Sequence, residues 1–98
     1  MKHKSTYEIN DAFKITGRGI VFAGKINNGS ISIGDYIVFK FNGQNISRRI
    51  TGIEGIRSEN ENDCGLLIET LNEQEIINLK NWKPNENIGL IYKSDVKK

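Results

Sequence analysis

The 98-residue chain holds one cysteine, one proline, one histidine, one tryptophan and one methionine. A single thiol, Cys64, allows no disulfide within the chain, which favours a reducing compartment. The lone histidine, His3, stands in a polar N-terminal stretch, so Cys64 has no base in its neighbourhood to make it a nucleophile. Apolar runs are only a few residues long, too short to span a bilayer. "MKHKSTYEIN" has no apolar segment of the secretory kind. The expectation is a soluble cytoplasmic protein. Charge is also nearly balanced. Fourteen basic and twelve acidic side chains give a formal charge of +2, too little to argue for nucleic acid by itself. No G-x-x-x-x-G-K-[ST] motif occurs, so the chain has no P-loop to bind GTP.

What the chain does have is an alternation of period two. Ile20, Phe22, Gly24 and Ile26 share one face of a strand, with Val21, Ala23 and Lys25 on the other. Asn42-Gly43 between "YIVFKF" and "QNISRRI" predicts a type I′ hairpin. Asn27-Asn28-Gly29 and Ile33-Gly34-Asp35 read as further turns. Strands are expected at Gln44–Arg57, Cys64–Thr70 and Ile88–Lys93. Asn72 with Glu75 forms a capping-box-like start to a short helix that buries Ile76 and Leu79 and ends before Pro84. Many short strands with glycine-rich turns predict one antiparallel closed barrel over residues 1–98, with polar, frayed ends at 1–6 and 94–98.

Gly17-Arg18-Gly19 followed by Gly24 is not a dinucleotide fingerprint, because the third glycine is misplaced and strand formers follow Gly19. Bulges, turns and close backbone approaches are the better reading of these glycines.

The series Asp11, Phe13, Ile15, Gly17, Arg18, Gly19, Val21, Gly24, Gly29, Ile31, Gly34 and Asp35 resembles the opening of the second domain of elongation factor Tu and related translational GTPases. "GIEGIR" (Gly52 to Arg57), "GLLI" (Gly65 to Ile68) and "NEQEI" (Asn72 to Ile76) resemble later segments of that domain in the same order. The resemblance implies a six-stranded antiparallel closed β-barrel with one short helical turn, standing without the GTPase and third domains. It implies a non-enzymatic, cofactor-free module that contacts the acceptor end of a transfer RNA or ribosomal RNA. The site residues it implies are Glu54, Arg57, Asp11 and Phe13, with backbone at Gly65 and Leu66 forming a wall. A carboxylate can accept from a ribose hydroxyl, an arginine can hold a phosphate, and an aromatic ring can pack on a base. The sequence departs from the family at "SENENDC" (Ser58 to Cys64), which lacks the family's A-G-[DE]-N-V pattern, and at Leu79, where the family has a glycine.

Plainer readings stand beside these. Glu54 and Arg57 can be a solvated ion pair. Phe13 can be core, and Arg18 can serve a structural salt bridge. Arg48 and Arg49 fall on opposite faces of one strand and make no joint patch. Cys64 reads as a small buried residue, and Trp82 as a cap on one end of the barrel. "ENEND" (Glu59 to Asp63) lacks the order of a calcium loop. A protein–protein or homodimerisation module that has lost RNA binding is the alternative function, and an enzyme ranks last.

Overall fold

In the computed structural model, residues 2–55, 63–84 and 87–94 are described. Six strands alternate along the chain with one helix near the end: β1 (Ser5–Ile15), β2 (Gly19–Asn28), β3 (Tyr36–Phe41), β4 (Gln44–Gly55), β5 (Asp63–Ile68), α1 (Glu73–Lys80) and β6 (Asn87–Tyr92). The strands close into an antiparallel barrel in the order β1-β2-β5-β4-β3-β6. Closure pairs every strand on both sides, which removes the exposed edges that a flat sheet of this composition would present. No helix among the described residues is long and apolar enough to cross a membrane.

The inward residues follow the alternation in the sequence. Ile20, Ile68 and Ile50 sit opposite one another across β2, β5 and β4 and are buried. Phe22 and Phe39 meet edge to face with centroids 5.0 Å apart, and Trp82 packs on both. Leu79, on the inner face of α1, is 1 % exposed and closes the same end of the core. Trp82 therefore caps the barrel, as expected of it.

The helix starts where the capping signal places it. The Asn72 side chain accepts from the Glu75 N–H at 2.9 Å. Glu75 does not complete the box on Asn72; its Oε1 accepts instead from the Leu71 N–H, at 2.9 Å. The same carboxylate is gripped by Arg48 of β4, through Nε at 2.9 Å and through Nη2. Both side chains are mostly buried, so this fork ties the helix to the barrel wall. The Arg48 hydrogen bond holds the Glu75 carboxyl below its ordinary range, against the effect of burial. Arg49, one residue on, is exposed, as the alternation requires.

Asn42 and Gly43 both take positive φ, +51° and +83°, in the two-residue β3–β4 turn. This is the expected type I′ hairpin. The loop before β3 closes on Asp35. Its carboxylate accepts from the Ser32 N–H at 2.8 Å and pairs with Lys4 Nζ at 2.7 Å. Burial pushes the Asp35 carboxyl up, but the Lys4 ammonium and the backbone N–H groups of Ser32 and Ser94 outweigh it, leaving a net fall. Lys4, Ser5 and Thr6 belong to the stretch expected to fray, yet they are tied in. The Lys4 N–H donates to Ile91 O at 2.7 Å, and Ser5 is 1 % exposed with its hydroxyl on Ser30 O. The ion pair to a buried carboxylate explains why a polar, basic segment is held.

Register shifts decide what faces outward: Thr51 is an extra residue in β4 between Ile50 and Gly52, and β1 has another. Ile9 pairs with Gly24 and Asp11 with Ala23, so Asn10 is an extra residue in β1. The bulge turns both Asn10 and Asp11 outward and moves the inward position from Asp11 to Ala12. Phe13 is consequently 42 % exposed on the outside of the barrel. The reading of Phe13 as core fails for this reason.

Candidate functional site

The four strands β1, β2, β5 and β4 lie side by side, and their register builds two adjacent rows on the outer face. One row runs Asp11, Ala23, Gly65, Glu54. The next runs Phe13, Val21, Leu67, Gly52. Rows two residues apart lie about 7 Å from each other along the strands, and four strands span about 14 Å. The structure thus brings Asp11, Phe13, Gly65 and Glu54 onto one face. Asp11 and Glu54 stand at its opposite ends, too far apart to act on one atom.

Gly65 is the centre of the face. A Cβ there would lie 3.2 Å from Val21 Cγ1 and 3.5 Å from Glu54 Cβ. Val21 and Glu54 already crowd the space a side chain would need, so the face is closely packed at this point. Leu66 can contribute only backbone here. Its side chain is fully buried in the core, and the outward neighbour is Leu67. Arg57 lies outside the described residues.

Val21 is 3 % exposed, yet it faces away from the core cluster. Arg18, in the turn between β1 and β2, reaches over the outer face and pairs with the Glu54 carboxylate. Because β2 and β5 lie between them in the sheet, this ion pair spans both strands. The turn that launches Arg18 uses positive φ at Gly17 and Gly19, +80° and +104°, and is closed by the Arg18 N–H on Ile15 O at 2.9 Å. Glycine on either side of the arginine is therefore a backbone requirement. Arg18 and Glu54 are 47 % and 38 % exposed as side chains, so the pair stabilises the fold by under about 1 kcal/mol. Both groups can exchange their mutual contact for a ligand at little cost.

Beside this face, Asn10, Ala23, Gly24 and Asp63 line a hollow of about 190 Å³ at the bulge. Gly24 permits it. A Cβ there would fall 1.8 Å from the Glu8 carbonyl oxygen, so β1 and β2 approach as closely as they do only over a glycine. Beneath the hollow, the buried Tyr7 hydroxyl lies 2.5 Å from Cys64 O and 3.2 Å from Phe22 O. Its one proton goes to the nearer carbonyl. Burial, then the neighbouring Cys64 and Asp63, push the Tyr7 phenol far up. Burial, then Asp63, also push the Cys64 thiol up. Both groups are structural, and Cys64 is the small buried residue that the sequence indicates.

The sequence reading missed Leu67 as surface of this face, and it left Arg18 undecided. The signal for Leu67 was present in the alternation, since it follows a residue committed to the core. The pairing of Arg18 with Glu54 had no local signal, since 36 residues separate them. Chemically, the face offers a carboxylate acceptor, a guanidinium donor and an exposed aromatic ring. Compared with models of known protein families, the chain matches none.

Proposed function

We propose that the chain is a non-enzymatic binding module of the translation-factor barrel type, whose outer face receives the ribose-bearing end of an RNA, a transfer RNA acceptor end or an exposed segment of ribosomal RNA. The observation that carries this reading is the half-exposed Glu54 carboxylate, held by Arg18 on the outer face opposite Gly65. A carboxylate in that place can accept from a ribose diol, while the released guanidinium takes a phosphate. Phe13 supplies an exposed ring for a base to pack on, and Leu67 adds half-buried apolar surface beside it. The resemblance of the glycine-rich stretch to the second domain of elongation factor Tu supports the choice of ligand.

The test is a low-salt titration of the purified protein with aminoacylated and deacylated transfer RNA, repeated with Glu54→Ala and Phe13→Ser. Both positions are on the outer face, so neither substitution opens the core. Binding that weakens with added salt and is lost in both variants supports the reading. Binding of neither RNA at low salt overturns it. A second reading rests on the same apolar row: Phe13 and Leu67 also suit a protein partner or a second copy of the chain. A monomer–dimer equilibrium in sedimentation that Phe13→Ser abolishes would favour it over RNA.

A further inference from the structure

The larger hollows lie elsewhere, along α1. One of about 260 Å³ opens between the helix and the β3–β4 hairpin, over Phe41, Ile46 and Leu79, with Leu71 at its rim. A second of about 370 Å³ continues past the hairpin turn, over Phe41 and Trp82. Phe41 and Asn78 line both, so the two form one furrow running beside the helix. Its width is pinned by the Arg48–Glu75 fork, which fixes α1 against β4.

The chemistry of the furrow is distinctive. Its floor is aliphatic and aromatic. Asn42, Asn78 and Asn81 stand along its walls and are exposed. The Asn78 carbonyl accepts from Gln74 Nε2 at 3.0 Å, which leaves its amide donors free. The Asn42 and Asn81 side chains have no partner among the described residues. Of the charged groups on the walls, Glu75 is consumed by Arg48 and by the Leu71 N–H. Lys83, at the far end, has no carboxylate partner among the described residues.

We propose that this furrow docks a short extended peptide bearing an apolar anchor residue followed by an acidic one. An asparagine amide presents a donor and an acceptor together, the complement of the alternating N–H and C=O groups of an extended backbone. The space over Phe41, Ile46 and Leu79 accepts an aliphatic side chain, with Leu71 closing over it. Among the described residues Lys83 is the one charge of the walls without a partner, and it stands at one end, so an acidic residue belongs there. Nucleic acid fits poorly, because one such cation among the described residues is too few for a phosphate backbone. An oligosaccharide would leave the aliphatic end of the furrow unmatched. The site is separate from the Glu54 face.

Trp82 is the only tryptophan of the chain and lines the furrow, so its emission reports occupancy directly. The probe is a capped pentapeptide, acetyl-Thr-Leu-Thr-Asp-Gly-amide, compared with its Leu-to-Ser and Asp-to-Lys analogues, with penta-uridylate and with maltopentaose. A saturable change in emission is expected for the parent peptide, with amide shifts mapping to Phe41, Asn42 and Asn78. Binding should weaken about tenfold without the leucine and about two- to fivefold in Lys83→Glu. It should be unchanged in Glu54→Ala, which separates this site from the outer-face reading. No saturable response at millimolar peptide overturns the proposal. So does an equal response to penta-uridylate or maltopentaose, or a shift map centred away from α1 and the hairpin.

Discussion

Gly24→Ala tests the barrel at its tightest point. By strand propensity alone, alanine in place of glycine within β2 should help, since glycine loses more backbone freedom on folding. The lost unfolded-state entropy is worth about 0.4–1 kcal/mol in favour of alanine. The structure gives the opposite sign. The added Cβ would lie 1.8 Å from the Glu8 carbonyl oxygen, 2.9 Å from its carbon and 3.2 Å from Tyr7 Cε2. Two of these neighbours are backbone and cannot rotate away. The nearby Tyr7 ring is anchored through its hydroxyl to Cys64 O. Strand β1 must therefore move off β2 at the Asn10 bulge. Overpacking of this kind costs about 3 kcal/mol, the upper end of its usual range. The net loss is then about 2 kcal/mol, or roughly 8–16 °C in Tm for a domain of this size. Gly55→Ala is the control, since a Cβ there meets nothing within 4 Å and its φ is ordinary. Thermal unfolding followed by circular dichroism should show a large drop for the first variant and almost none for the second. If the two variants melt together, the close approach of β1 over Gly24 is not present in solution and the bulge argument for Phe13 fails with it.

The remaining expectations concern the ties that hold loops and helix to the barrel. Arg48→Ala removes both hydrogen bonds to a largely buried carboxylate, and urea unfolding should show a loss of about 1–3 kcal/mol. Glu75 and Asp35 both titrate below their ordinary values of 4.5 and 3.8 in the folded chain. The unfolded chain thus takes up protons first as pH falls. Stability should be full above those ordinary values and should fall progressively below them, a loss that Glu75→Gln should reduce in urea melts run against pH. Cys64 is 9 % exposed with its thiol pushed up, so a thiol reagent at mildly alkaline pH should label it only through opening of the barrel. Its labelling rate should rise in Gly24→Ala, and prompt labelling of the intact protein would contradict the burial. Gly43→Ala places a side chain at φ +83° in open space, so it should cost about 1 kcal/mol from backbone conformation alone.

Much of the barrel was legible because inward and outward residues alternate with a fixed period, and because the turns need specific residues. Asn42-Gly43 announces its own hairpin, and Asn72 with Glu75 its helix. What escaped the sequence was whatever depends on a change of phase or on distant partners. Nothing in "EINDAF" marks Asn10 as the extra residue; the bulge follows from the approach of Glu8 over Gly24 on another strand. That one residue sends Phe13 outside. Lys4 looks like part of a solubilising tail until Asp35, brought in by the turn at Gly34, supplies a buried partner. Leu66 and Leu67 look alike in "GLLI", and only the register against β2 and β4 separates the core residue from the surface one.

Val21 shows why the outer face of a small barrel cannot be read as a plain polar exterior. A buried residue that alternates with Phe22 should, by periodicity, point to a second apolar layer, as in a sheet covered on both sides. The described residues hold no second layer over β2 and β5. What spans this face is an ion pair between two half-exposed side chains, Arg18 and Glu54. Such a pair is worth too little to have a stabilising purpose, under about 1 kcal/mol. A contact between half-exposed groups that is cheap to break is better suited to exchange than to support. Replacing Arg18 by alanine should therefore leave the melting temperature within a few degrees of the parent. A large fall in stability would assign Arg18 to the scaffold and would remove the physical ground for treating this face as a binding surface.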